Sequence, residues 1–241
     1  ACDLTRFENR YFRGILRCLP TVLITKLLHN QQKDNFMNRK PLLVALDLEG
    51  VLVPEIWIAV AEKSGVEELR LTTRDIPDYD VLMRGRLELL DKHGLDIHDI
   101  QKVIGQLQPL PGAYEFLTEL RRQCQVVILS DTFYQFASPL MAQLDWPTLF
   151  CNSLEIDAGG RVTDYRLRQE DGKRQAVKAF KSLNFEVVAA GDSYNDTTML
   201  TEADLGLLFR PSQNVIDEFP DFRVAEDYPA LEQYIDDYVG S

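Results

Sequence analysis

Four short runs of consecutive apolar residues punctuate the chain: Leu42–Leu46, Val126–Leu129, Val187–Ala190 and Leu205–Phe209. An uninterrupted apolar run of this length, bounded by polar residues, marks a strand buried on both faces, as in a parallel sheet. Between the later runs, Phe133–Leu144 and Lys173–Leu183 space their apolar positions along one face of a helix. Ala113–Arg122, behind Pro111 and Gly112, does the same. Strands alternating with helices predict an α/β fold built on a doubly wound parallel sheet. Leu154–Asp157 and Val162–Tyr165, joined across Gly159 and Gly160, predict a hairpin.

The first two strands are separated by far more chain than the dozen or so residues that a crossover helix requires. Most of the excess is helical in pattern: Trp57–Lys63, Val81–His93 and Ile97–Leu107. It predicts a small helical cap inserted at about residues 57–108 of a domain that spans 37–241.

Each apolar run ends in a polar cluster. Asp47-Leu48-Glu49-Gly50 follows the first, Ser130-Asp131-Thr132 the second, and Gly191-Asp192-Ser193-Tyr194-Asn195-Asp196 the third. Ligands of open parallel sheets bind outside the carboxyl ends of the strands, so these clusters are expected to converge. Each could instead merely cap the following helix, since Asp, Ser and Asn are good N-caps. Three such strand ends in one sheet favour a site. In extended chain, residues two apart point to the same side, which sets Asp47 and Glu49 toward one place. Such a pair suits a metal site, or a nucleophile and a general acid. Asp192 adds a third acid for a hard cation such as Mg²⁺. The histidines His29, His93 and His98 have no zinc-type spacing, and neither do the cysteines.

Charge narrows the choice of partners. The 241 residues carry a net charge of −12, which disfavours nucleic acid and anionic membrane. An anionic substrate would need a local group of cations. Residues 1–36 are the exception, with six Lys or Arg against three acids. This basic stretch lacks the strand–helix alternation and ends at Met37; it is read as an extension without a catalytic role. A targeting peptide and a docked helix are the rival readings. Cys124 and Cys151 are the only cysteines beyond it, too few for a disulfide framework, so a reducing cytoplasm is the expected compartment. The longest membrane candidate, Leu19–Leu28, is too short and contains Pro20 and Lys26.

The ordered set Asp47-x-Glu49, Ser130, Lys173 and Gly191-Asp192-x-x-Asn195-Asp196 resembles the four motifs of the haloacid dehalogenase superfamily of phosphotransferases. The insertion after the first strand resembles that superfamily's small cap on its Rossmann-type core. Within the superfamily the similarity is to the phosphoserine phosphatase branch. The run Asp-Leu-Glu-Gly-Val-Leu-Val-Pro-Glu-Ile-Trp from Asp47 resembles its bifunctional phosphoserine phosphatase/homoserine phosphotransferase group. The superfamily more often has Asp where Glu49 stands; the bifunctional group has Glu.

This resemblance implies covalent catalysis through an aspartyl phosphate. Asp47 would be the nucleophile and Glu49 the acid and base. Asp47, Asp192 and the main-chain carbonyl of Glu49 would hold Mg²⁺, and Ser130, Lys173 and Asn195 would bind the phosphoryl oxygens. Asp131 could offer its backbone N–H to the substrate. Glu55 would take the ammonium of phosphoserine and Arg86 its carboxylate, with Arg84 as rival. Alone, Lys173 would be read as a solvated lysine at a helix start, Glu55 as a cap and Arg86 as part of a surface ion pair. The expected partners are phosphoserine and homoserine, with a homo-oligomer left open. Two other readings remain: a phosphatase for another small phosphomonoester, and a receiver-like Mg²⁺-binding signalling domain.

Overall fold

A computed structural model describes residues 40–72, 75, 76 and 78–240. The basic segment 1–36 lies outside the described residues. Seven strands form one sheet in the order β4-β3-β2-β1-β5-β6-β7. They are β1 (Leu42–Leu46), β2 (Gln125–Phe133), β3 (Thr148–Ile156), β4 (Val162–Arg166), β5 (Glu186–Gly191), β6 (Leu205–Phe209) and β7 (Arg223–Ala225). All neighbours pair in parallel except β3 and β4, which are antiparallel. The doubly wound α/β fold read from the sequence is therefore the observed one.

The apolar runs explain the layering. In β1, Val44 and Leu46 join the core on one face while Leu43 and Ala45 join the core on the other. β5 divides likewise, with Val188 and Ala190 opposite Val187 and Ala189. From β1 the chain builds outward through β2 and β3, then returns to build through β5 and β6 on the other side. That reversal puts a crevice at the carboxyl ends of β1 and β5. Asp47 directly follows β1, and Asp192 directly follows β5.

Two strands extend the sequence reading. The predicted hairpin at 154–165 is real, but β3 begins at Thr148 and also pairs with β2. Its first half, Thr-Leu-Phe-Cys-Asn-Ser, mixes polar and apolar residues and carries no clear period. β7 has three residues, too few for a pattern.

Between β1 and the helix α4 (Ala113–Gln123) lie α1 (Ile56–Ser64), a 3₁₀ turn at Glu67–Arg70, α2 (Tyr79–His93) and α3 (Ile97–Ile104). Their apolar faces do not form a separate core. Trp57, Leu69, Met83, Leu90 and Ile100 belong to the same buried cluster as Leu46 and Phe136. Trp57 meets Phe136 edge-on at 5.2 Å between ring centroids, and Phe136 lies on α5 (Tyr134–Gln143). The β3–β4 hairpin straps these helices down. Arg84 on α2 pairs with Asp164 at 2.8 Å, Tyr165 donates to Asp80 at 2.6 Å, and Arg161 pairs with Asp91 at 2.7 Å. Among the described residues no helix is long and apolar enough to cross a membrane.

The remaining helices are α6 (Gly172–Ser182), α7 (Thr197–Glu202), α8 (Gln213–Glu218) and α9 (Tyr228–Gly240). Tyr228 on α9 donates to the carbonyl of Val51 at 2.7 Å, which braces the loop after β1 from behind.

Candidate active site

The loop after β1 is a tight turn. Val53 N–H and Leu52 N–H donate to the Leu48 carbonyl, and Gly50 N–H donates to Val53. Gly50 has φ +76°, and a Cβ there would sit 2.4 Å from Asp192 Cγ. Only glycine lets this turn press so closely on the end of β5. Asp47, 4% exposed, thereby faces Asp192.

Lys173 completes the arrangement. It enters from the first turn of α6 and is 4% exposed. Its ammonium donates to Asp47 Oδ1 at 2.9 Å and to Asp196 Oδ1 at 2.7 Å, and lies 3.5 Å from Asp131 Oδ2. The solvated-lysine reading does not describe it. Burial opposes its charge, yet Asp196 and then Asp47 outweigh that and hold the ammonium well above its ordinary pKa.

Asp196 had no assigned role in the sequence reading. It is fully buried, and its second oxygen accepts the backbone N–H groups of Asp192 at 3.0 Å and Ser193 at 3.1 Å. It packs against Gly191 so tightly that a Cβ there would lie 2.3 Å from its Cγ. Asp196 therefore fixes both Lys173 and the turn that carries Asp192. The one sequence signal is its position four residues after Asp192, directly behind Asn195.

Asp47, Asp192 and Asp196 each bring a carboxylate oxygen within 4.8 Å of the others. When all three are ionised, they exceed the ammonium of Lys173 by two negative charges. Burial, then repulsion from Asp196, pushes Asp47 well above the carboxylate range, and the same two causes lift Asp192 to about 7. A buried oxygen-donor cluster with this excess fits a hard divalent cation. Both oxygens of Asp196 are already engaged, so Asp47 and Asp192 are the side chains able to ligate.

Glu49 faces elsewhere. Its Oε2 accepts the N–H of Ile56 at 2.9 Å, at the start of α1, and Thr132 also hydrogen-bonds to it. Its side chain is not part of the Asp47, Asp192 and Asp196 group. Burial first, then the nearby Glu55, lifts Glu49 to about 8; Glu55, not Asp47, is the carboxylate behind this shift. This shift favours the protonated carboxyl, the form that can donate.

Raised acids make a prediction. Their contribution to stability is present at low pH and is lost as pH rises toward about 7 to 8. Without metal, the melting temperature should fall between pH 5.5 and 8. A divalent cation needs ionised ligands, so Mg²⁺ should raise the melting temperature more at pH 8 than at 5.5. An equal or larger rise at pH 5.5, read by calorimetry, would remove this metal site.

One cavity of about 240 Å³ gathers Asp47, Glu49, Glu55, Arg86, Ser130, Asp131, Lys173, Asp192 and Asn195 along its wall. Of the residues given a site role from the sequence, only the rival Arg84 is missing from this wall. Ser130 is buried and accepts the N–H of Thr132 at 3.2 Å. Asn195 is exposed and donates to Asp131 Oδ2 at 3.0 Å. Glu55 precedes α1 but makes no capping hydrogen bond. Arg86 is 8% exposed and lies over the Trp57 ring at 4.5 Å, whereas Arg84 is half exposed and tied to Asp164 and Asp80. Arg86 Nη2 donates to the Leu71 carbonyl at 2.7 Å, while its buried Nε has no hydrogen-bond partner.

The family model of the haloacid dehalogenase-like hydrolases matches residues 42–204. The chain belongs to this family. It is 62% identical over 191 residues to phosphoserine phosphatase ThrH of Pseudomonas aeruginosa, covering 79% of this chain and 93% of that protein. It is equally identical over 191 residues to a phosphoserine phosphatase of Pseudomonas syringae, covering 81% of that protein. A crystal structure of phosphoserine phosphatase in apo form superposes with a TM-score of 0.66 at 25% identity, covering 81% of this chain and 99% of that one. As a haloacid dehalogenase-like hydrolase of the phosphoserine phosphatase branch, the chain is no receiver domain.

Proposed function

We propose that this hydrolase is a Mg²⁺-dependent phosphoserine phosphatase that also transfers the phosphoryl group to homoserine. One observation carries the reading: the cavity that holds Asp47 and Lys173 also holds Glu55 and Arg86. The opposite charges of Glu55 and Arg86 match the ammonium and carboxylate of an amino acid. A generic phosphomonoester would leave both without use. The 62% identity to phosphoserine phosphatase ThrH supports the same substrate.

In this reading Asp47 attacks phosphorus in line and forms an acyl phosphate, while protonated Glu49 gives its proton to the departing serine oxygen. Glu49 then takes a proton from the incoming water or homoserine hydroxyl. Its tie to Ile56 N–H holds the carboxyl in place through both steps. Lys173, Asn195 and Ser130 bind the phosphoryl oxygens. Mg²⁺, held by Asp47, Asp192 and the Glu49 carbonyl, would supply positive charge against the phosphoryl group. Arg86, on the cavity wall, takes the substrate carboxylate, and its Nη1 is held within the protein only by the long contact to Met83 Sδ.

Homoserine has one methylene more than serine, which a pocket discriminates by only roughly 1–3 kcal/mol. Held by the same two charges, it can compete with water for the acyl phosphate. Phosphorus NMR of phosphoserine, Mg²⁺ and excess homoserine should show inorganic phosphate and phosphohomoserine together. Phosphate alone would leave a simple phosphatase, and neither product would remove phosphoserine as the substrate.

Arg86→Ala should raise KM for phosphoserine tenfold or more, since losing a hydrogen bond to a charged group costs about 1.5–3 kcal/mol. Phosphoethanolamine, which lacks the carboxylate, should be affected far less. Equal losses on both would make Arg86 a packing residue over Trp57.

A further inference from the structure

The donors assigned to the phosphoryl group already hold an anion of the protein itself. Asp131 Oδ2 accepts from Asn195 Nδ2 at 3.0 Å and lies 3.5 Å from Lys173 Nζ. We propose that the Asp131 carboxylate is an internal competitor for these donors, which loosens the hold of the site on inorganic phosphate. The inference rests on the phosphoryl-binding role given to Lys173 and Asn195 above.

Of the carboxylates around Lys173, Asp131 is the one with freedom to leave. Its side chain is 46% exposed, against 5% for Asp47 and 0% for Asp196. Its backbone, by contrast, is pinned. The Asp131 carbonyl accepts from Asn152 Nδ2 at 3.0 Å and from the Tyr79 hydroxyl at 3.4 Å. Asn152 is itself held by the N–H of Arg168 at 3.0 Å. The carboxylate can therefore swing by side-chain rotation alone, with the main chain held in place.

There is room for the swing. A second cavity, about 460 Å³, adjoins the first and shares Tyr79, Ser130, Asp131, Lys173 and Asn195 with it. Arg168 lines this cavity, its guanidinium 4.4 Å above the Phe150 ring, and offers positive charge to a displaced carboxylate.

The consequence is selective. Any phosphoryl group must displace Asp131 or share donors with it, and two anions on the same donors repel. Phosphoserine offsets this through Glu55 and Arg86. Inorganic phosphate has no such arms and bears the whole cost. Asp131 thus acts as a specificity device that favours product release.

The test is calorimetric titration of the full chain with inorganic phosphate, in the presence of Mg²⁺, for wild type, Asp131→Asn and Asp131→Ala. Asparagine keeps an acceptor for Asn195 without the charge, and alanine removes both. Phosphate should bind on the order of tenfold more tightly to both variants, the size of one charge-assisted contact. Unchanged or weaker phosphate binding in Asp131→Asn would overturn the proposal and make Asp131 a brace for Asn195. Binding is read without turnover. A wild-type protein that binds phosphate but leaves phosphoserine intact would sink the proposed substrate and leave this comparison standing.

Discussion

Asp47→Asn is expected to abolish phosphoserine turnover while the melting temperature in metal-free buffer stays at or above that of the wild type. An amide cannot form the acyl phosphate, so the covalent route closes. Stability should not suffer, because the wild-type carboxylate is held at a cost. Burial and the nearby Asp196 both favour its neutral form, and Lys173 keeps Asp196 as partner when the charge at 47 is gone. The same substitution should blunt the Mg²⁺-dependent rise in melting temperature. Steady-state kinetics and calorimetry together separate a chemical loss from a folding loss. Normal turnover by the folded variant would remove the nucleophile from the account.

Lys173→Met is expected to harm both activity and stability. Methionine keeps most of the volume but leaves Asp47 and Asp196, both buried, without their shared cation. Breaking a buried ion pair by removing one partner costs about 3–5 kcal/mol. For a chain of this size that lowers the melting temperature by roughly 10 °C. Losing one preorganised donor to the transition state should reduce kcat by about 10²–10³. The stability loss has a sign with pH. Acid protonates the stranded carboxylates, so the variant should fall furthest behind wild type at pH 8 and least at pH 5.5. A loss independent of pH would mean Lys173 acts through packing.

These two residues also mark what sequence can and cannot convey. Asp47 was legible because a strand buried on both faces is written as Leu-Leu-Val-Ala-Leu, and the residue that ends such a run lies at the sheet's carboxyl edge. Lys173 was not legible on its own terms. Its burial depends on Asp47, 126 residues away, and nothing in its neighbours tells that partner from solvent. The resemblance to a family supplied the assignment.

Arg86 lies between these cases. The buried stripe of α2 runs Leu82, Met83, Arg86, Leu87, Leu90, so helical spacing already sets Arg86 on the inward face and Arg84 off it. Asp196 stayed without a role because its work, bracing Lys173 and two backbone N–H groups, is visible only once β5 and α6 are brought together. Sequence leaves the direction of the Glu49 shift open, since burial and a neighbouring acid raise it while Lys173 and a cation oppose; burial and Glu55 prevail. Asp47 is two residues away in sequence, but the turn at Gly50 brings the chain back so that Glu55 is the carboxylate that counts.

The most direct test of the central claim is to quench the full-length protein in acid during turnover of phosphoryl-labelled phosphoserine with Mg²⁺, then map the label by peptide. The account predicts label on the peptide that carries Asp47, absent from Asp47→Asn and lost on chase with unlabelled substrate. Steady turnover of phosphoserine with no label on Asp47, or with label on another residue, would contradict it.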